Sequence, residues 1–294
     1  LHFLPVSMKN RVPGEFTMVY GFPGTTEQHL SSENLRYIMD KERPARIKMR
    51  EKSLGVIDAS MRSSELLRIK YSSKQARIAN GWKKWIGQLG GLKTVNAIQI
   101  KLDREKRFND MAATKKTWQK TYGSVIDDMN ALVFKYNDAN FAYSMAIEYL
   151  YVGPELFKRA RELNKFLSQY SKLEENGELE EAIAKQKKGA KAFFKDYDEE
   201  TDKRIFSLLT KEYAKQMKDA GLPEALKDCS FEDLTNSIYD KSILTNEVRF
   251  EKFMAKLSSK SFSKLQKKDQ GFKLWKALND NFFMEVIPVV RAYT

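Results

Sequence analysis

The sequence is poor in cysteine and histidine. It contains one cysteine, Cys229, and two histidines, His2 and His29, among 294 residues. A single cysteine excludes an intramolecular disulfide and any cysteine-rich zinc site. It is compatible with a reducing or an oxidising compartment, so the cysteine count does not locate the protein.

Long hydrophobic runs are also missing. No apolar stretch approaches the roughly 20 residues that a membrane-spanning helix needs, so no membrane partner is predicted. Seven prolines and 14 glycines leave no room for a collagen-like or low-complexity chain. The hydrophobic content of 42% is enough for a buried core. The opening residues LHFLP include neither an initiator methionine nor a basic-then-apolar leader, so Leu1 is expected to be a cloning or processing boundary.

Motifs that carry self-contained chemistry are absent as well. The sequence has no HExxH, CxxC, GxSxG, Walker loop or GxGxxG. His29 could be combined with an aspartate and a serine as a triad, but a lone histidine after a turn is typical of a surface or packing residue. The carboxylate pairs 127–128 and 199–200 fall in helix or cap positions, where solvation explains them. We therefore predict no catalytic residue, no metal and no cofactor within the chain.

Positive charge is what the sequence has in excess. The formal net charge is +13, and the stretch from Lys41 to Lys84 holds 13 basic against four acidic residues. A basic stripe could track a phosphate backbone, so a module that binds nucleic acid is one alternative. A solvated helix face is the favoured interpretation, because no helix-turn-helix, zinc-finger or aromatic ribonucleoprotein motif accompanies the charge. No nucleic-acid partner is predicted.

The first 26 or so residues are predicted to be β structure. Turns are marked by Pro13-Gly14 and Pro23-Gly24, and apolar residues alternate between them. The alternating residues are Phe16, Met18, Tyr20 and Phe22. One or two strands are too few for an independent sheet. Residues 1–30 are therefore expected to belong to a sheet whose remainder lies outside this chain.

From about residue 31 onward, helix caps and apolar spacing predict a mainly α multi-helix bundle over residues 31–294. Ser31 or Ser32 can cap the first helix, Pro44 fits the first turn of the second, and Asp198 and Ser230 can cap later helices. A third helix has the clearest apolar stripe, and the pair Gly90-Gly91 is predicted to end it. The stripe consists of Leu67, Tyr71, Ile78, Trp82, Trp85 and Leu89.

A second long stripe is predicted to end at Gly153-Pro154, where Pro154 starts another helix. This stripe consists of Val125, Met129, Leu132, Tyr136, Tyr143, Ile147 and Leu150. The charged segment 174–191 is predicted to be a short surface helix between mobile turns. The last helix is predicted to stop before Pro288. No internal repeat has a fixed period, so a solenoid is not expected.

Two segments resemble a known family. The run FTMVYGFPGTTEQHLSS at 16–32 looks like the end of the first barrel half in bacterial serine dipeptidyl-peptidases of the seven and eleven types. The run SSKQARIANGWKKWIGQLGG at 72–91 resembles a segment of the helical domain in that family, where an asparagine is followed closely by tryptophan and lysine. These enzymes are chymotrypsin-like exopeptidases with an inserted helical domain. The chain resembles that domain in its arrangement of helices over nearly its whole length.

The resemblance implies that the catalytic residues lie outside this chain. In family members the histidine and aspartate precede the segment that Leu1 begins, and the nucleophilic serine follows the segment that Thr294 ends. The fragment alone is thus expected to be inactive. The helical domain is implied to cap the cleft and close its far end, so that only a free amino terminus fits and dipeptides are released. The pocket that selects the residue at the cleavage position is implied to lie in the barrel.

The same resemblance implies partners and a location. Peptides with a free amino terminus would be the substrates, and the rest of the peptidase barrel would be the main protein partner. A homodimer of the full-length protein is one arrangement open to it, because the sequence does not give the oligomeric state. The location implied is periplasmic or secreted. One departure is plain, because Thr25 and His29 stand where family members tend to carry an arginine and a tyrosine, so local contacts there are expected to differ.

The resemblance also implies one substrate-binding residue. The family's asparagine that holds the peptide backbone near the amino terminus matches Asn80. Helical geometry gives separate support, because Asn80 lies roughly 200° from both Ile78 and Trp82 and so points away from the apolar stripe. From the sequence alone a solvent-exposed helical asparagine is favoured, and the family match reverses this preference. Trp82 and Trp85 are predicted to be core anchors.

The prediction as a whole is the helical cap domain of a serine dipeptidyl-peptidase that binds the free amino terminus of peptides. The alternative is a non-enzymatic basic helical module that binds nucleic acid or an acidic protein.

Overall fold

The computed structural model describes residues 7–18, 20 and 29–293, and the chain divides into two units, residues 1–30 and 31–294. In the first unit a turn at Pro13-Gly14 is closed by a hydrogen bond from Glu15 N to Val12 O (3.2 Å). The side chains of Phe16 and Met18 are exposed.

No β-strand forms in the described part of this first unit, so the strand predicted from the alternation is absent over residues 7–18. A strand is defined by its ladder of hydrogen bonds to a neighbour, and alternation alone does not supply that neighbour. Phe22 and the Pro23-Gly24 turn lie outside the described residues. The assignment of residues 1–30 to a barrel stays a prediction.

The second unit is helical over its described length, which confirms the prediction of a mainly α chain. Its helices are α1 (Ser32–Tyr37), α2 (Arg43–Ser63), α3 (Glu65–Thr94), α4 (Ala97–Ala113), α5 (Lys116–Tyr122), α6 (Val125–Ala146), α7 (Glu155–Leu167), α8 (Tyr170–Glu175), α9 (Leu179–Asp196), α10 (Glu199–Met217), α11 (Phe231–Lys241), α12 (Glu247–Ala255), α13 (Ser259–Lys268), α14 (Gln270–Asn281) and α15 (Ile287–Arg291).

Three π-helical turns and one 3₁₀ turn complete this unit. The first π turn, Ile38–Glu42, joins α1 to α2. The second, Ile147–Val152, extends α6, and the third, Phe282–Val286, joins α14 to α15. The 3₁₀ turn is Glu224–Leu226. None of the helices in residues 29–293 combines the length and the apolar composition that a membrane crossing requires.

The predicted caps are confirmed. The side chain of Ser31 accepts a hydrogen bond from Asn34 N at 3.2 Å, and Pro44 lies in the first turn of α2. Asp198 accepts from the backbone of α10 and Ser230 from the backbone of α11 in the same way. Each cap satisfies a backbone N–H that the first helical turn leaves without an internal partner.

Three predicted helix boundaries differ from the structure. Helix α3 continues through Gly90-Gly91 to Thr94 and ends next to Asn96, whose φ of +48° gives the left-handed backbone that stops the helix. The charged segment forms an 18-residue α9 that contains Gly189, rather than a short helix. Pro288 lies in the first turn of α15, because the π turn before it lets the helical path continue.

Helices α2 and α3 form an antiparallel hairpin around Ser64, and α10 packs on α2. A single buried core joins this hairpin to α6, α7, α10, α11, α12 and α14. Its largest fully buried apolar residues are Met49, Ile57, Tyr71, Ile78, Tyr149, Phe157, Phe206, Tyr239, Phe250, Phe272 and Trp275.

The stripe predicted for α6 is correct only in part, because Tyr136 and Leu150 are buried but Met129 and Leu132 are exposed. The buried residues Phe141, Met145 and Tyr149 do not belong to the predicted stripe. The hydrophobic residues of this helix therefore do not mark its inner face along the whole length.

Candidate functional site

Asn80 lies on the exposed side of α3, as the helical spacing predicts. The neighbouring Ile78 and Ala79 are buried in the core and fix the orientation of this turn. Within the described residues the Asn80 side chain has no hydrogen-bond partner, so its amide is available to a ligand as one acceptor and two donors.

Arg50 on α2 holds the buried side of the same turn. Its Nη1 donates to the carbonyl oxygen of Ile78 at 3.2 Å. A Cβ atom placed on Gly81 would overlap this guanidinium group, so the absence of a side chain at Gly81 lets Arg50 approach the backbone of α3. The turn that carries Asn80 is therefore tied directly to α2.

Glu148 anchors Arg50 from the other side. Its side chain is fully buried in the second π turn and accepts from Arg50 Nε at 2.9 Å and from Arg50 Nη2 at 3.1 Å. Arg46 donates to the same carboxylate at 2.9 Å and to Glu42 at 2.9 Å. Burial opposes the charge of Arg46, but Glu148 and Glu42 together raise the pKa of this guanidinium above its ordinary value.

Trp85 on α3 provides an aromatic surface for the same guanidinium groups. Those of Arg46 and Arg50 each lie 4.2 Å from the ring centroid. We refer to Arg46, Arg50, Glu148 and Trp85 as the arginine cluster. It joins α2, α3 and the second π turn through ion pairs and cation–π contacts.

The basic stretch is therefore only partly a solvated face. Lys48, Lys52 and Lys84 are exposed, as that interpretation requires. Arg46 and Arg50 are largely buried and paired, so for these two residues the interpretation is wrong. Their charge is used inside the molecule and is not available to an external polyanion.

The two tryptophans of α3 differ in burial. Trp85 is buried, which confirms its role as a core anchor. Trp82 is only partly buried, although it packs against the core, and its indole Nε1 has no hydrogen-bond partner. The spacing predicts that both rings lie on one buried stripe, but only Trp85 is stacked against the guanidinium groups of the arginine cluster.

Asp202 forms a second buried polar network, at the start of α7. Its carboxylate accepts from the backbone N–H groups of Glu155 (2.6 Å) and Leu156 (3.2 Å), and from the hydroxyls of Tyr239 (2.9 Å) and Tyr197 (3.2 Å). Burial raises the pKa of Asp202 to about 6. Because all four donors belong to this chain, Asp202 serves to cap α7 and to join it to α10 and α11.

We expect Asp202→Asn to destabilise the chain more at pH 5 than at pH 7. The folded pKa of about 6 lies above the ordinary value of 3.8, so as the pH falls the folded chain takes up this proton before the unfolded chain does. Protonation of Asp202 therefore adds about 1 kcal/mol to the free energy of unfolding of the wild type over this pH range, and asparagine cannot gain it. Urea denaturation of both proteins at both pH values measures the difference. A destabilisation by Asp202→Asn that is the same at the two pH values would contradict this.

The sequence offers few residues that could carry chemistry by themselves, and the structure describes most of them. His29 is exposed, and His2 lies outside the described residues. Residues 7–18, 20 and 29–293 contain no group of three His, Cys, Asp or Glu residues that could hold a metal ion. Burial raises the pKa of the Cys229 thiol, which favours its protonated form. The carboxylate pairs 127–128 and 199–200 lie in the first turns of α6 and α10, where the helix dipole favours them.

Known proteins are similar to this chain in sequence and in fold. The profile of the Peptidase S46 family matches residues 1–291. An Asp/Glu-specific dipeptidyl-peptidase of Capnocytophaga gingivalis is 32% identical over 98% of this chain and 40% of its own length. A protein of the same description from Flavobacterium psychrophilum is 34% identical over the same shares. Dipeptidyl-peptidase 7 of Phocaeicola vulgatus is 27% identical over 89% of this chain and 37% of its own length.

The solved structures agree in fold. The crystal structure of Porphyromonas endodontalis DPP11 in complex with the dipeptide Arg-Glu has a TM-score of 0.64 at 20% identity, over 90% of this chain and 42% of that one. The curated relatives are dipeptidyl-peptidases, and they therefore belong to the class of peptide hydrolases. The chain belongs to the Peptidase S46 family. It spans about 40% of the length of its curated relatives.

The arginine cluster was not predicted from the sequence, although a signal for it exists. Arg43, Arg46 and Arg50 recur at a spacing of three and four residues, which places them on one face of α2. A basic row on the inner side of a helix predicts buried carboxylates opposite it. Nothing in the sequence identifies Glu148, about 100 residues away, as that partner.

Proposed function

We propose that this chain is the helical cap domain of a serine dipeptidyl-peptidase, and that it helps to hold the free amino terminus of peptide substrates. The observation that carries the proposal is the match of the Peptidase S46 profile to residues 1–291. In this proposal the chain covers the active-site cleft, and the nucleophilic serine, its histidine base and the aspartate lie in the remainder of the protein. The span of about 40% of the relatives' length is consistent with a catalytic barrel outside this chain.

Asn80 is the residue to which we assign substrate binding. The amide of Asn80 is exposed, and its backbone is restrained by the bond from Arg50, so it suits a group that must be held in one position. The oxygen of an uncharged amide can accept a hydrogen bond from an ammonium group without adding a charge to the site. Binding the amino terminus at a set distance from the nucleophile would determine that two residues are released.

The remaining features of the proposal concern partners and location. We assign peptides with a free amino terminus as substrates, and the solved relatives that hold a dipeptide are consistent with such ligands. A homodimer of the full-length protein and a periplasmic or secreted location complete the proposal. The alternative, a basic module for nucleic acid, gains no support from the similar proteins, and part of the basic charge it relies on is buried in the arginine cluster.

The test of this proposal is Asn80→Ala in the full-length enzyme. We expect kcat/KM for dipeptidyl substrates with a free amino terminus to fall by about 1.5–3 kcal/mol of transition-state stabilisation, the range for hydrogen bonds to charged groups. The melting temperature should be unchanged, because the exposed side chain leaves no cavity. Steady-state kinetics and thermal denaturation measure the two quantities.

The matched control is Gln88→Ala, which removes an exposed amide from the same helix two turns further on. Its kcat/KM should equal that of the wild type. An Asn80→Ala enzyme with wild-type kcat/KM would contradict the assignment and show that Asn80 is an ordinary surface residue.

A further inference from the structure

We infer that Arg50 is a positioning residue for Asn80: it fixes the turn of α3 that presents the amide, and Glu148 fixes Arg50 in turn. The inference rests on the proposed substrate-binding role of Asn80. It adds two residues, on α2 and on the second π turn, that never touch the substrate and still set the geometry of the contact.

The first step concerns how Asn80 is held. Its side chain has no partner within the described residues, so the backbone of α3 is the part of the protein that restricts where its amide can reach. Helix α3 is 30 residues long, and buried side chains hold it only along one side. Arg50 adds a bond to the backbone itself, at the carbonyl of Ile78, two residues before Asn80. This bond adds a directional restraint on the backbone to the packing of Ile78 and Ala79 in the core.

The second step concerns Gly81. At Gly81, the residue directly after Asn80, a side chain would collide with the guanidinium group. Gly87, on the same helix, has no atom within 4 Å of the place a Cβ would occupy. A glycine inside a helix costs about 0.5–1 kcal/mol relative to alanine, so the close approach of Arg50 gives a physical reason for glycine at position 81.

The third step concerns Glu148. The carboxylate binds Arg50 through two nitrogens, and its side chain is fully excluded from solvent. A planar guanidinium held at both Nε and Nη2 has one orientation, which leaves Nη1 directed at the carbonyl of Ile78. Lysine cannot reproduce this arrangement, because its single ammonium group lacks the planar fork.

The experiment is a double-mutant cycle between Arg50→Lys and Asn80→Ala in the full-length enzyme. We expect Arg50→Lys alone to lower kcat/KM on the order of tenfold, because a small displacement of a positioning group weakens the contact it presents. The loss should appear mainly in KM, since the contact lies away from the reacting bond. In the Asn80→Ala background the same change should lower kcat/KM less than about twofold, because the contact it serves is already gone.

Arg46→Lys is the matched control for the loss of a bond to Glu148. Arg46 binds the same carboxylate and stacks on the same Trp85 ring, but within the described residues its guanidinium donates to Glu148 and Glu42 and to no carbonyl of α3. Both lysine variants should lower the melting temperature, and only Arg50→Lys should be coupled to Asn80. Equal coupling of Arg46 and Arg50 to Asn80 would overturn the assignment of Arg50 as the positioning residue.

Gly81→Ala is a second test of the positioning role of Arg50, and it changes no charged residue. The added methyl group takes the place of Arg50 Nη1, so the guanidinium group must shift, the bond to Ile78 is lost and the pairing with Glu148 is weakened. The helices should keep their packing, because no backbone atom of α2 is in the way. We expect its kcat/KM to fall as in Arg50→Lys, whereas Gly87→Ala should keep wild-type kcat/KM.

The outcomes separate the two proposals. Wild-type kcat/KM in Asn80→Ala contradicts the proposed function itself. If Asn80→Ala does lower kcat/KM, two results contradict only the positioning role of Arg50. The first is an equal loss from Arg50→Lys in both backgrounds, and the second is wild-type kcat/KM in Gly81→Ala.

Discussion

Replacing Phe157 by alanine is expected to lower the free energy of unfolding by about 3–5 kcal/mol. Phe157 is completely buried at the start of α7, and its ring meets Tyr149 edge-on with centroids 5.2 Å apart. It also meets Phe206 on α10 at 6.0 Å. Alanine would leave a cavity between three helical segments that cannot all close onto it. Urea denaturation of the purified chain measures the change.

Phe134→Ala is the control for this substitution. Phe134 lies on α6 with 64% of its surface exposed, so its removal should change the free energy of unfolding by less than about 0.5 kcal/mol. Comparable destabilisation by the two alanine variants would show that Phe157 is not packed as the structure has it.

Replacing Glu148 by alanine is expected to destabilise the chain by a similar amount, about 3–5 kcal/mol. The substitution leaves the guanidinium groups of Arg46 and Arg50 largely buried without the carboxylate that both bind. The cost arises from the unpaired charges more than from the lost contacts. Denaturation by urea again gives the value, and the two arginines should become accessible to solvent.

An exposed ion pair provides the comparison. Glu65 pairs with Arg68 at the start of α3, where both side chains are more than half exposed. Glu65→Ala should leave the denaturation midpoint nearly unchanged, since solvent already stabilises both charges. If Glu65→Ala and Glu148→Ala shift the midpoint equally, the buried pairing in the arginine cluster is not a source of stability.

The caps were predictable because each depends on a few neighbouring residues. Ser31, Asp198 and Ser230 each accept from a backbone N–H three residues further on, which is visible in the sequence. The end of α3 was not predictable from its glycines, because a helix tolerates an exposed glycine and stops where the backbone turns left-handed, here at Asn96.

The buried stripe of α6 was predicted only in part, because its inner face is partly polar. Asn130 and Ser144 face inward together with Phe141 and Met145, and Glu148 follows in the π turn. Hydrophobic spacing alone selects the apolar residues on the outer side instead, such as Leu132. The polar inner residues become meaningful only once their partners on other helices are known.

In the candidate site, too, one feature could be predicted from local sequence and the others could not. The exposure of Asn80 follows from the spacing of one helix, so the sequence was sufficient for it. The bond from Arg50 to Ile78 and the buried pair with Glu148 join segments about 28 and 98 residues apart along the chain. Such contacts depend on tertiary packing, which local periodicity does not encode.

The close approach of Arg50 to Gly81 constrains how this sequence can diverge. A side chain at position 81 and an arginine at position 50 compete for the same space, so neither position can vary freely on its own. A side chain at position 81 forces the guanidinium group of Arg50 to move, whereas a shorter side chain at position 50 leaves room for it. The two sites form one unit of variation, although 31 positions separate them in the chain.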